Sequence, residues 1–258
     1  MNDLFSVEGK VALVTGGAQG MGRMIAEGLV KAGVRVYITS RKPDVCEQSA
    51  SELCEFGECV AIPATLDTPE AVVELANRFK EKEEKIDILI NNAGRTWGAP
   101  LEEFPDKAWA PVMAVNVQGP FTLIRELLPQ LRKAGGNESP ARVINIGSLA
   151  GMVPQHLSAY SYAASKAAIH HLSRELAADL AGDNITVNAI VPGYFPTKMT
   201  AHIREEEEKT RELVGNIPLN RLGSPEDIVG LCIFLSSRAG AYITGVELPV
   251  DGGMSGCN

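Results

Sequence analysis

The chain holds 258 residues, with 24 Lys and Arg against 32 Asp and Glu, a formal net charge of -8. Hydrophobic residues make up 45% of it, which excludes wholesale disorder and the collagen-like and disulfide-scaffold classes. The acidic balance argues against a surface for nucleic acid or anionic membrane. Glycine, at 25 residues, exceeds the roughly 7% average, an excess that needs a structural reason.

The start Met1-Asn2-Asp3-Leu4 has no basic n-region and no long apolar h-region, and no stretch reaches about 18 uninterrupted apolar residues. A soluble, cytoplasmic protein is expected. Five cysteines, Cys46, Cys54, Cys59, Cys232 and Cys257, form no C-x-x-C pair, so no metal is expected and the thiols read as reduced, buried or on the surface.

Short apolar runs rich in β-branched residues recur at Val11–Thr15, Val34–Thr39, Cys59–Ala64, Ile86–Asn91, Arg142–Ser148, Ile185–Val191 and Val246–Val250. They are continuous rather than alternating, as strands of a parallel sheet buried on both faces must be. Helical periodicity fills the spaces between them, at Met21–Ala32, Pro69–Glu84, Ala108–Arg132, Ala159–Ala181 and Pro225–Ser236. Ser224 is the expected N-cap of the last, with Pro225 at its first position. Strand and helix alternating this often predicts an α/β fold with a doubly wound parallel sheet, a Rossmann-type single domain over 1–258. Ala134–Pro140 reads as a surface loop, and the four acids Glu205–Glu208 as a solvated helix face. The longest gap between expected strands, Pro192 to Val246, is where a substrate cover is expected, at about 194–216.

The first strand runs into Thr15-Gly16-Gly17-Ala18-Gln19-Gly20-Met21-Gly22 and then a helix. Glycine there lets the backbone turn sharply and approach a pyrophosphate, which the helix N-terminus attracts. The second strand ends Thr39-Ser40-Arg41-Lys42 with no acid to hold the ribose 2′-hydroxyl of NAD. Ser40 can donate to a 2′-phosphate and Arg41 can pair with it, so NADP(H) is favoured over NAD.

Tyr162 and Lys166 stand four residues apart and share a helix face. A neighbouring ammonium favours the phenolate, which makes the pair a candidate acid/base unit. Tyr160 has only Ala164 at the same spacing. Ser148 ends the fifth strand at the carboxyl edge, where open α/β sheets bind ligands.

In order along the chain stand Thr15-Gly16-x-x-x-Gly20-x-Gly22, Asn91-Asn92-Ala93-Gly94, Asn116, Ser148, Tyr162-x-x-x-Lys166, Asn188, Pro192-Gly193 and Asp251-Gly252-Gly253. By this series the chain resembles the short-chain dehydrogenases/reductases over nearly its full length. The resemblance implies four catalytic residues. Tyr162 is the acid or base at the carbonyl or alcohol oxygen, Ser148 its hydrogen-bonding partner, Lys166 the residue that binds the nicotinamide ribose and lowers the Tyr162 pKa. Asn116 is the holder of a water in a proton relay. It also implies that Gly16, Gln19, Gly20, Met21 and Gly22 line the pyrophosphate turn, that Thr65 and Leu66 flank the adenine, and that Asn92, Ala93 and Gly94 pass the adenosine ribose. Pro192, Gly193 and Thr197 reach the nicotinamide. Thr65 stands where the family commonly has an acid that accepts from the adenine amino group, and Gln19 where NADP(H)-using relatives often carry Arg.

Within the family, Arg95-Thr96-Trp97-Gly98-Ala99 and Lys198-Met199-Thr200-Ala201-His202-Ile203 look most similar to NADPH-dependent β-ketoacyl reductases of the rhamnolipid-associated type. The expected substrate is a small carbonyl or alcohol compound, a 3-oxoacyl thioester first. The alternatives are an NAD(P)-dependent alcohol or sugar dehydrogenase and a dinucleotide sensor without turnover. His170 and His171 are expected on the helix surface or at a subunit interface, His156 in a loop, and Trp97 at the rim of the site or in packing. The slim face of Ala163, Ala164, Ala167 and Ala168 implies, by the family's habit, a homo-oligomer, tetramer or dimer.

Overall fold

The computed structural model describes residues 4–197 and 207–257. Seven strands form one parallel sheet: β1 (Val11–Val14), β2 (Arg35–Ile38), β3 (Cys59–Ala61), β4 (Ile88–Asn91), β5 (Ala141–Ile146), β6 (Ile185–Pro192) and β7 (Glu247–Val250). All seven expected runs are there, in the spatial order β3-β2-β1-β4-β5-β6-β7. The chain winds outward in one direction from β1 and in the other from β4, which opens a crevice at the carboxyl ends of these two strands.

The continuous apolar runs follow from where their alternate residues go. Ala12, Val14, Ile88, Ile90, Ile144 and Ile146 join the core on one face of the sheet. Val11, Leu13, Leu89 and Val143 join the core on the other. Each fully buried Val, Leu or Ile side chain stabilises the fold by about 1.5–3 kcal/mol, and Asn91, Asn145 and Asn188, polar residues that the strands do carry, are buried with hydrogen-bond partners.

Helix α1 (Gly20–Lys31) and helix α2 (Pro43–Leu53) follow β1 and β2. The second was not among the expected helices, although Cys46, Ser49, Ala50 and Leu53 make a regular buried face and Pro43 opens it. Helix α3 (Pro69–Lys80) starts at Thr68, whose hydroxyl accepts from Ala71 N at 3.2 Å. The long helix expected over 108–132 is instead α4 (Trp109–Met113), a π-helical turn at Ala114–Gln118, and α5 (Gly119–Ala134). Such a turn is a local widening that hydrophobic periodicity does not reveal, and it often marks a functional position; Asn116 sits in it.

Helix α6 (Tyr160–Leu180) carries the expected Tyr-Lys pair. Helix α7 (Glu207–Gly215) begins with the last two of the four acids; Glu205, Glu206 and the Lys198–Ile203 segment lie outside the described residues. Helix α8 (Pro225–Ser236) has the expected cap, with Asp227 Oδ2 accepting from Ser224 N at 2.7 Å to complete a capping box. The loop after α5 is in place, and Cys46, Cys59 and Cys232 are buried while Cys54 and Cys257 are exposed, all five as free thiols. Among the described residues, no helix is long and apolar enough to cross a membrane and no His, Cys, Asp and Glu group is arranged to hold a metal.

Candidate active site

The carboxyl edge of the sheet is built around Thr15, the last residue before the glycine turn. Its hydroxyl accepts from Asn92 N at 3.0 Å and Ala93 N at 3.1 Å, tying the turn after β1 to the turn after β4. Asn92 Nδ2 donates back to Thr15 O at 2.9 Å. The turn itself demands glycine. Gly16 and Gly20 have φ of 65° and 56°, in the left-handed region that side chains disfavour. A Cβ on Gly22 would stand 2.3 Å from both Asn92 Nδ2 and Gly16 O.

Beyond the turn, α1 begins at Gln19 with no side-chain cap and no acid in its first turn. Its first N–H groups are thus available to an anion. Gly16, Gln19, Gly20, Met21 and Gly22 line a cleft of about 620 Å³ together with Ser40 and Arg41, Leu66, Asn92, Ala93 and Gly94, and then Ser148, Tyr162, Lys166, Pro192, Gly193 and Thr197. The cleft is therefore continuous from the glycine turn to the Tyr-Lys pair, and the residues present fit a dinucleotide.

Two of the expected residues do not line the cleft. Thr65 is not among the lining residues; Asp67 is. The Thr65 hydroxyl is hydrogen-bonded to the Asp67 carboxylate and, with Arg41 and Arg95 in range, holds that carboxyl below its ordinary value. A threonine two residues before an aspartate is the sequence signal that could have been read. Asn116 stands behind the cleft, 2% exposed. Its Oδ1 accepts from Arg95 N at 2.7 Å, and its Nδ2 donates to Arg95 O at 2.9 Å and Ser165 Oγ at 2.8 Å. Ser165 Oγ in turn donates to Tyr162 O at 2.7 Å, so Asn116 braces the first turns of α6 against the loop after β4.

Ser148 follows β5, and its hydroxyl accepts from Ala150 N at 3.2 Å and shares a hydrogen bond with the Tyr162 phenol. Lys166 Nζ donates to Ile146 O at 2.7 Å and lies 5.6 Å from the Tyr162 ring centroid. Burial pushes the Lys166 ammonium down to about 8. Burial also pushes the Tyr162 phenol up, and the Ser148 hydrogen bond opposes this. That direction is opposite to the one the Tyr-Lys spacing alone suggests, because burial of the phenol outweighs the contacts that favour its charged form. Tyr160 is 38% exposed, its ring edge-on to Phe104.

His170 overturns its expectation. It is 2% exposed rather than on the helix surface, because α6 turns this position toward the strand end that carries Ser148; His171 is exposed as expected. His156 is an exposed loop residue with φ of 49°, and Trp97 is half-exposed.

A family profile described as Enoyl-(Acyl carrier protein) reductase matches residues 16–255. The Rhamnolipids biosynthesis 3-oxoacyl-[acyl-carrier-protein] reductase of Pseudomonas aeruginosa is 47% identical over 253 residues, 98% of this chain and 99% of that protein. The chain belongs to the short-chain dehydrogenase/reductase family. Family membership extends to a 5-keto-D-gluconate 5-reductase of Escherichia coli, 37% identical over 98% of both chains. Among solved structures, the Pseudomonas aeruginosa RhlG/NADP active-site complex superposes with a TM-score of 0.96 at 47% identity, over 99% of this chain and 100% of that one. A chain of this family is an oxidoreductase.

Proposed function

We propose that this protein is an NADP(H)-dependent carbonyl reductase acting on a 3-oxoacyl thioester, with Ser148, Tyr162 and Lys166 at the reacting carbonyl. The observation that carries the reading is the single cleft joining the glycine turn and Arg41 to the Ser148–Tyr162 hydrogen bond. The 47% identity to a 3-oxoacyl-[acyl-carrier-protein] reductase and the likeness to an NADP complex support it.

The nicotinamide, when bound, supplies the hydride. Arg41 and Ser40 hold the 2′-phosphate, and the glycine turn with the start of α1 holds the pyrophosphate. Asn92, Ala93 and Gly94 flank the adenosine ribose, Thr65 and Leu66 belong to the adenine side, and Pro192, Gly193 and Thr197 orient the nicotinamide. Ser148 donates to the substrate oxygen and positions it. Tyr162 delivers the proton to that oxygen, and its raised pKa keeps the phenol protonated for reduction. Lys166 would bind the nicotinamide ribose, and Asn116 holds the backbone behind it and the water of the relay.

In this reading a substrate cover falls at about 194–216, of which 198–206 lie outside the described residues, and the whole chain is one cytoplasmic domain. Half-exposed Trp109, Phe121 and Tyr160 on α4, α5 and α6 support a homo-oligomer, tetramer or dimer. The second reading is a sugar dehydrogenase, favoured by the 37% identity to a 5-keto-D-gluconate 5-reductase. An NADPH-consumption assay across acetoacetyl thioesters, free β-keto esters and keto sugar acids separates the two. Turnover of the thioester by at least tenfold in kcat/KM over the keto sugar acids supports the proposal, and the reverse order contradicts it.

A further inference from the structure

We infer that His170 is a positioning residue for the reduction: its imidazole, held between Glu247 and the Ser148 backbone, sets where the Ser148 hydroxyl stands. The inference deepens the functional reading above and rests on it for the role of Ser148.

The ring fills a slot cut by two glycines on either side of Ser148. A Cβ on Gly147 would stand 2.1 Å from His170 Nε2, and one on Gly151 would stand 2.9 Å from Cε1. Within the slot, Ser148 N donates to His170 Nε2 at 3.3 Å. A backbone N–H can only donate, so Nε2 is the bare nitrogen and Nδ1 carries the proton. That proton is on the side of Glu247, whose Oε2 lies 3.2 Å from Nδ1. Glu247 opens the edge strand β7, and its other oxygen is ion-paired with Arg174 on α6. The Glu247–Arg174 ion pair thus stands beside a buried imidazole that holds the Ser148 backbone, and the Ser148 side chain faces Tyr162.

His170 does not line the cleft, so it acts through Ser148 and not on substrate. Its orientation is set by the glycine slot, which fixes the plane, and by Ser148 N, which takes Nε2; Glu247 stands close to Nδ1, which is buried without a hydrogen-bond partner among the described residues. Protonation of Nε2 would set two donors against each other and push the Ser148 turn away. The charged groups around the ring are Glu247 from β7 and Lys166 and Arg174 from α6, while the turn after β5 contributes neutral groups. Burial, with Lys166 and Arg174, holds the imidazole below its ordinary 6.5 against the pull of Glu247, which keeps it neutral as pH falls to mildly acidic values.

The test compares His170→Leu, His170→Gln and Glu247→Gln with the unaltered protein. The Gln side chain offers an amide oxygen to Ser148 N and an amide N–H to Glu247, so it restores the contact without a titration. His170→Leu is expected to lower kcat by about tenfold to a hundredfold, the scale of an ångström misplacement, with the KM and Kd for NADPH unchanged. His170→Gln is expected to recover most of kcat and to lose the acid limb of the kcat profile, and Glu247→Gln to move that limb. Should His170→Leu fail to fold, the Gln variants carry the comparison.

An activity-independent readout is the Ser148 amide resonance in serine-labelled protein, which is expected to shift with the His170 ring as pH falls and to lose that shift in His170→Gln. An amide resonance indifferent to acid in the unaltered protein overturns the inference, as does a His170→Gln acid limb identical to the original. Absence of NADPH turnover on every carbonyl contradicts the functional reading instead, and leaves the inference to be judged by the amide titration.

Discussion

The two halves of the sheet edge use different material. On the β1–β2 side the pyrophosphate end of the site is made of backbone, the left-handed Gly16 and Gly20, the crowded Gly22 and the uncapped start of α1, with Ser40 and Arg41 as the side chains beyond it. On the β4–β6 side it is made of side chains locked in buried hydrogen bonds. Asn91 Nδ2 donates to Asn145 Oδ1 at 2.8 Å, Asn145 Nδ2 to Ser173 Oγ at 2.9 Å, and Asn188 Nδ2 to Ile243 O at 2.9 Å. A phosphate needs only N–H groups and room, which glycine provides. A proton transfer needs particular groups at particular places, which only interlocked side chains provide.

Substitutions should therefore fail differently in the two halves. The largest effect is expected at Ser148→Ala, where kcat falls by about 10²–10³-fold while the Kd for NADPH in a fluorescence titration stays put. Gly22→Ala should do the opposite. The added methyl meets Asn92 and Gly16 at 2.3 Å, and overpacking of this kind costs about 1–3 kcal/mol of stability, read by denaturant unfolding, together with weaker nucleotide binding. Equal loss of nucleotide affinity in both variants would erase the distinction between the halves.

Arg41→Ala is narrower in its effect. A lost charge-assisted hydrogen bond is worth about 1.5–3 kcal/mol, so NADPH should bind about tenfold to a hundredfold more weakly while NADH is unaffected. Equal weakening of both would remove Arg41 from the phosphate. The smallest effect is a slope. Lys166 has a folded-state pKa of about 8, below its ordinary 10.5. The penalty of burying its charge is present in full below about 8. Between about 8 and 10.5 the unfolded chain binds more protons, so this group makes stability rise with pH there. Lys10, also lowered to about 8, contributes in the same window. Unfolding of Lys166→Met followed against pH should show part of that rise gone.

What was legible in the sequence follows the same division. The seven strands were visible because both faces of a parallel sheet exclude water, leaving unbroken apolar runs. The glycine turn, Ser148, Tyr162 and Lys166 were visible because each is tied to a strand end or a helical spacing. The π-helical turn at Asn116 was not, since one extra residue in a turn leaves no periodic mark. His170 was misread because a polar residue four places after Lys166 looks solvated until Gly147, Gly151 and Glu247, distant in sequence, are brought around it. At the cleft after β3 the polar lining residue is Asp67, with Thr65 beside it, a difference that the order of two polar residues in the sequence does not reveal.

The central claim is that Tyr162 is the proton donor in a cleft that binds its cofactor independently of that donor. Measuring NADPH Kd and single-turnover hydride transfer in Tyr162→Phe tests it most directly. The expected result is a Kd within about twofold of the unaltered protein and a transfer rate lowered by about 10²–10⁴-fold, the usual contribution of a positioned general acid. Near-normal hydride transfer in that variant would contradict the account.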